Sequence, residues 1–154
     1  MNASGITPIL NVSDVPASLQ WFERLGWTRG FAWNDGGMIE CAADSNAAGP
    51  ATFASVCSGK VGENGEGVQI FLCQDGQGLR GGKPARFDGD SDTGAMWMSV
   101  WLASPADVDA AHELAVKLGV TVLWPPTDEP WGVRECRIMH PDGHVFRLSA
   151  GLES

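Results

Sequence analysis

Few side chains in this sequence combine the right type with the right spacing for chemistry, and most of those lie in its last third. His140 and His144 stand four apart. On a helix that spacing would put two imidazoles on one face, where they could hold zinc. Pro141, Asp142 and Gly143 lie between them, and these residues make a tight turn rather than a helix. Turn formation and strand packing therefore account for both histidines. Glu135 and Arg137 are two apart on an extended segment, so they share a face, with Arg134 on the other. They form either an exposed ion pair or polar groups lining a groove. A carboxylate such as Glu40 or Glu135 could serve as a general base if it is buried. No nucleophile elbow and no Ser-His-Asp arrangement is legible. Gly76-Gln77-Gly78-Leu79-Arg80-Gly81 matches G-x-G-x-x-G after a strand, but a dinucleotide site needs a helix to start there. Gly82, Lys83 and Pro84 cannot propagate one, so the segment reads as linker. Cys41, Cys57, Cys73 and Cys136 are widely spaced with no C-x-x-C pair, and they read as buried free thiols rather than ligands or disulfides.

Aromatic chemistry is the other candidate. The chain has seven Trp and no Tyr. Ala95 to Ala103 is the clearest strand: Met96, Met98, Val100 and Leu102 share one face, and Trp97, Ser99, Trp101 and Ala103 the other. The indole face is either a second packing surface, such as a dimer contact, or a cavity wall where flat ligand groups stack.

These residues are positioned by a short list of elements. Ile6 to Val12 reads as a strand near an edge, given Pro8. Ser13 or Asp14 caps a helix with Pro16 in its first turn and Leu19, Trp21, Phe22 and Leu25 on its apolar stripe; Gly26 ends it. Trp27 to Trp33 and Met38 to Ala42 form a hairpin about Asn34-Asp35-Gly36-Gly37. Ala51 to Cys57 and Val68 to Cys73 are further strands, with a Gly-rich loop between them at Gly59 to Gly67. After the linker at 75–94, the strand at 95–103 leads into a helix from Ser104 and Pro105 to Gly119, with Ala111, Leu114, Ala115 and Leu118 inward and His112 on the polar side. Thr121 to Trp124 is a short strand stopped by Pro125 and Pro126. Asp128 to Leu148 completes the chain as a loop carrying Pro130 and Trp131, then a hairpin turning at His140 to Gly143. The order is β-α-β-β-β twice, a weak internal repeat. The expected fold is α+β: one domain over 1–154, built of modules 6–74 and 95–150 on a curved mixed sheet.

Composition narrows the function classes. A chain of 154 residues, 44% hydrophobic and 19% charged, can bury a core and is not disordered. A net charge of −9 with no basic stripe excludes nucleic acid, and it favours encounter with a cationic small molecule. No apolar run reaches the length of a membrane span, and the N-terminus has no signal-peptide pattern, so a cytoplasmic location is expected.

Two segments carry a family resemblance. One is Pro8-Ile9-Leu10-Asn11-Val12-Ser13-Asp14-Val15 with Trp21-Phe22-Glu23-Arg24-Leu25-Gly26-Trp27. The other is Glu129-Pro130-Trp131-Gly132-Val133-Arg134-Glu135 with Pro141-Asp142-Gly143-His144-Val145-Phe146-Arg147-Leu148. Their pattern resembles the vicinal oxygen chelate superfamily of glyoxalases, bleomycin resistance proteins and extradiol dioxygenases. The resemblance implies paired βαβββ modules and, in its enzymes, a divalent metal held by His, Gln or Glu from four strands. Laid on this chain, those positions fall on Thr7, Phe71, Trp97 (or Met98, one residue on) and Arg147. Thr is a weak neutral ligand, Phe and Trp offer no lone pair, and Arg repels a metal. The resemblance is therefore nearest to the bleomycin resistance branch, which is metal-free, acidic and homodimeric with an exchanged N-terminal strand. The Gly59 to Gly94 region is longer than that branch usually has. The function it implies is non-covalent sequestration of a small aromatic or cationic natural product, as in antibiotic resistance, with no cofactor and no catalytic residue. Trp33, Phe71, Trp97, Ser99, Trp101, Trp131 and Arg147 are the expected ligand contacts. The alternative is a superfamily lyase, isomerase or dioxygenase with a metal site rebuilt from residues such as Glu40, His140 or His144.

Overall fold

The computed structural model describes residues 2, 5–34, 37–39, 49–59, 67–74 and 95–152. Glu40, Cys41, the G-x-G-x-x-G segment and the rest of 75–94 lie outside the described residues. The chain divides into two compact units, Met1–Ala85 and Arg86–Ser154.

In the first unit, β1 (Ile9–Asn11) leads into α1 (Val15–Arg24), followed by β2 (Thr28–Asn34), β3 (Gly37–Ile39), β4 (Phe53–Ser58) and β5 (Val68–Cys73). The sheet order is β1-β5-β4-β2-β3. Helix α1 starts where its sequence says it should: Asp14 accepts the Ala17 N–H at 2.8 Å, and Pro16 sits in the first turn. Gly26, at φ +88°, ends it. Val15, Leu19, Trp21 and Phe22 are buried along the stripe. Leu10, Ala32, Ala54, Val56, Ile70 and Leu72 supply the buried face of the sheet. Each fully buried leucine of this layer contributes about 2 kcal/mol. A β-bulge interrupts the β2–β4 ladder between Arg29 and Ala32. There the Phe31 N–H donates to Ser55 Oγ at 3.0 Å, and a Cβ on Gly30 would lie 2.2 Å from that same oxygen. Glycine is required by this close approach.

In the second unit, β6 (Trp97–Trp101), α2 (Pro105–Lys117), β7 (Thr121–Glu129), β8 (Val133–Met139) and β9 (Val145–Gly151) form a sheet of order β6-β9-β8-β7. Ser104 caps α2, accepting the Asp107 N–H and donating to Asp107 Oδ2 at 2.7 Å. Helix α2 packs on β7, β8 and β9, burying Val108 and Ala115. The β8–β9 turn closes with Gly143 N–H donating to the His140 carbonyl at 2.8 Å and His140 N–H to the His144 carbonyl at 2.9 Å.

Two mixed α+β units, each with a parallel pair (β1–β5, β6–β9) beside antiparallel ones, match the expected module plan. The extra hairpin strand β3 widens the first sheet to five. One boundary differs in kind. The strand expected to stop at Trp124 continues through Pro125 and Pro126 to Glu129. It can do so because β7 is an edge strand, and its pairing with β8 shifts between Trp124 and Thr127, so the prolines owe the ladder no N–H. No helix among the described residues is long and apolar enough to cross a membrane.

Candidate functional site

In the second unit the residues that could bind something stand on one face of the sheet, and the register puts them there. On β6, Trp97, Ser99 and Trp101 are exposed and alternate with half-buried Met98 and Val100. Trp97 pairs with Val145, Ser99 with Arg147 and Trp101 with Ser149. Arg147 then pairs with Arg137, and Ser149 with Glu135. Arg137 in turn pairs with Trp124. Cross-strand partners share a face, so the row Ser99–Arg147–Arg137–Trp124 has two guanidiniums in its middle and an indole at one end, and Trp97 and Trp101 flank Ser99 at the other.

Arg137 and Arg147 are directly opposed, a like-charge pairing that destabilises a sheet unless something bridges it. Glu135 is the bridge. It is fully buried and ion-pairs with Arg137 at 2.9 Å and Arg147 at 2.5 Å. The guanidiniums also meet aromatic faces. The Arg137 carbon lies 5.4 Å from the Trp97 ring and 5.5 Å from Trp124; that of Arg147 lies 5.9 Å from Trp131. Such contacts stabilise by about 0.5–2 kcal/mol each, depending on desolvation. The four indoles remain open outside these contacts: Trp97 is 67% exposed, Trp101 65%, Trp131 59% and Trp124 45%. Glu129 stands on the same face opposite Val133, and among the described residues it pairs with neither arginine.

The sequence-derived contacts thus divide between the units. Trp97, Ser99, Trp101, Trp131 and Arg147 come together. Trp33 and Phe71 belong to the first unit. There Phe71 forms an aromatic cluster with Phe31 and Phe53, with ring centroids 5.3–5.6 Å apart, and Trp33 is half-open beside Phe53 in register. Sequence reasoning missed Trp124, because the prolines after it hid the strand. It left Glu135 and Arg137 as an exposed pair or a groove lining. Glu135 is in fact buried, because the second arginine, ten residues beyond Arg137, covers its other side.

The superfamily's metal positions do not fit a metal here. Thr7 is exposed, Phe71 sits in the phenylalanine cluster, Trp97 lies against a guanidinium, and Arg147 is a cation already paired to Glu135. Met98, the alternative third position, points to the opposite face from Arg147. The histidines are committed elsewhere. His140 and His144 are buried in the turn, their rings 5.8 Å apart. Nδ1 of His140 accepts the Asp142 N–H, and Nδ1 of His144 accepts the Met96 N–H, both at 3.1 Å. Burial lowers the His140 pKa to about 4, which keeps it neutral. Cys57, Cys73 and Cys136 are buried thiols in no disulfide; burial, then the charges of Asp109 and Glu135, raise the Cys136 thiol to about 11. That value makes it unreactive.

The family model described as Glyoxalase/Bleomycin resistance protein/Dioxygenase superfamily matches residues 5–148. Among solved structures, the chain is similar to TioX from Micromonospora sp. ML1, at 18% identity over 96% of this chain and 100% of that one, with a TM-score of 0.64. A glyoxylase/bleomycin resistance protein/dioxygenase domain from Frankia sp. EAN1pec matches at 21% identity over 99% and 96%, also with a TM-score of 0.64. A superfamily member from Sphaerobacter thermophilus DSM 20745 matches at 24% identity over 95% and 97%, with a TM-score of 0.59. No curated protein sequence matches the chain. Identities this low speak to the fold alone.

Proposed function

Because this chain belongs to the Glyoxalase/Bleomycin resistance protein/Dioxygenase superfamily, we propose that it binds a small aromatic natural product non-covalently and lowers its free concentration. The observation that supports this is the row of four open indoles around the Arg137–Glu135–Arg147 cluster. An indole left in water forgoes burial, and a face that carries three of them on its strands and a fourth, Trp131, on the adjoining turn is suited to cover something flat. No bond is broken in this function, so it needs no catalytic residue, and the unsuitable side chains at the metal positions are no obstacle to it. Trp33, with the phenylalanine cluster of the first unit, offers a second aromatic surface. A homodimer with an exchanged N-terminal strand is part of the proposal; in the chain itself β1 pairs with β5.

Of the two ligand classes the sequence suggests, the cationic one loses its basis at this face. The acidic balance belongs to the whole chain, whereas the groups at the centre of the row are two guanidiniums and one carboxylate. The metal-enzyme alternative gains nothing from His140 and His144, whose Nδ1 atoms already accept backbone N–H groups.

Titration with a panel of planar polycyclic aromatics tests the reading. Binding should quench tryptophan emission saturably and raise the melting temperature. A panel that does neither refutes it.

A further inference from the structure

Resting on the binding function just proposed, we infer that the ligand of the second unit's open face is an aromatic carboxylate, its ring against the indoles and its acid group on Arg137 and Arg147. The inventory of donors and acceptors carries this. Each guanidinium brings five N–H donors, and the one carboxylate between them offers about four acceptor sites. Glu135 takes one N–H from Arg137 and meets one nitrogen of Arg147. The Nε of both arginines is buried without a hydrogen-bond partner, and so are Ser149 Oγ, which stands on the same face beside Glu135 in register, and Glu135 Oε2, whose contact with Arg147 is an ion pair; one orphaned acceptor thus stands against two orphaned guanidinium donors. The cluster is therefore rich in donors and carries one surplus positive charge. Both arginine side chains remain in reach of a ligand, at 26% and 31% exposed.

Three ligand types can be weighed against that inventory. A cation would approach two guanidiniums and be repelled. A pure hydrocarbon would cover the exposed parts of two guanidiniums and offer their N–H groups no acceptor. A carboxylate supplies acceptors for the exposed guanidinium N–H groups and the balancing charge, and its planar two-oxygen edge matches the guanidinium fork. The flanking indoles require that it be attached to something flat.

The test is calorimetric titration of the full chain at neutral pH with three matched probes: 2-naphthoate, 2-naphthamide and 2-naphthylmethylammonium. The acid should bind about tenfold or more tighter than the amide, with the ammonium weakest, since a hydrogen bond to a charged group contributes more than one to a neutral group. Arg147→Gln should bring acid and amide to within about threefold while leaving the amide's affinity nearly unchanged. Arg137→Gln should do the same, and a melting curve on each variant verifies that it is folded. Equal binding of acid and amide, or the ammonium binding tightest, overturns this inference and leaves the aromatic-binding function standing. No binding of any probe by a monomeric chain, together with no quenching by larger planar rings, overturns both. Indoles shielded from acrylamide in a concentration-dependent dimer that binds no probe overturn the inference too, and make the face a contact between two copies of the chain.

Discussion

Glu135→Gln removes the one negative charge that separates two opposed guanidiniums and keeps the side chain's size. Removing one partner of a buried ion pair destabilises by about 3–5 kcal/mol when the remaining charge stays buried. Here Arg137 and Arg147 are a quarter to a third exposed and can turn toward water, so the cost falls to about 2–3 kcal/mol. The companion variant replaces all three residues, Glu135, Arg137 and Arg147, with Met. With no charge left to strand, it should cost less than Glu135→Gln alone, although it replaces three charged side chains instead of one. Urea unfolding followed by circular dichroism measures both, provided separate probes give one coincident transition. A Glu135→Gln variant within about 0.5 kcal/mol of the parent chain, or a triple variant less stable than the single one, would refute the view that Glu135 bridges an otherwise repulsive pair.

Further outcomes follow from other parts of the structure. Gly30→Ala should destabilise by about 1–3 kcal/mol through its contact with Ser55 Oγ, and Ser55→Ala in the same chain should recover part of that loss; equal melting temperatures for Gly30→Ala and the parent would count against the bulge geometry. His140 titrates near 4 when folded and near 6.5 when unfolded, because burial disfavours its charged form. The unfolded chain therefore binds more protons across that window, and stability should fall as pH drops from about 6.5 to 4, by up to about 3 kcal/mol. His140→Asn, whose carbonyl can still accept the Asp142 N–H, should flatten that slope; an unchanged slope refutes the assignment. Purified protein treated with a chelator should keep its melting temperature and its aromatic binding. About one divalent ion per chain, lost together with a measurable activity, would instead make this a metalloenzyme.

Turn chemistry and period-two alternation made most of the fold legible in advance. Asp14 and Pro16 mark the start of α1, Ser104 and Pro105 that of α2, and Gly143 the last hairpin. The same alternation placed Trp97, Ser99 and Trp101 together. What could not be read was which strands lie side by side and in what register. Arg147 meets Arg137 only because β9 pairs with β8 in one particular register, and nothing in the nine intervening residues states it. Trp124 was hidden because proline is a stop signal everywhere except on an edge strand, and edges are a property of the assembled sheet. The expectation of a cationic ligand rested on summed charge, which is a property of the chain, whereas recognition depends on the few groups that one face presents.

Pro125 and Pro126 have a meaning beyond the length of β7. Neither residue has an N–H, so whichever of the two faces outward offers a foreign strand no donor there. The opposite rim of the sheet is β6, which among the described residues is bonded on one side only, to β9. Any strand that extended this sheet by backbone pairing would therefore add beside Trp97 and Trp101. Growth of the sheet and occupation of its aromatic face would then take place side by side.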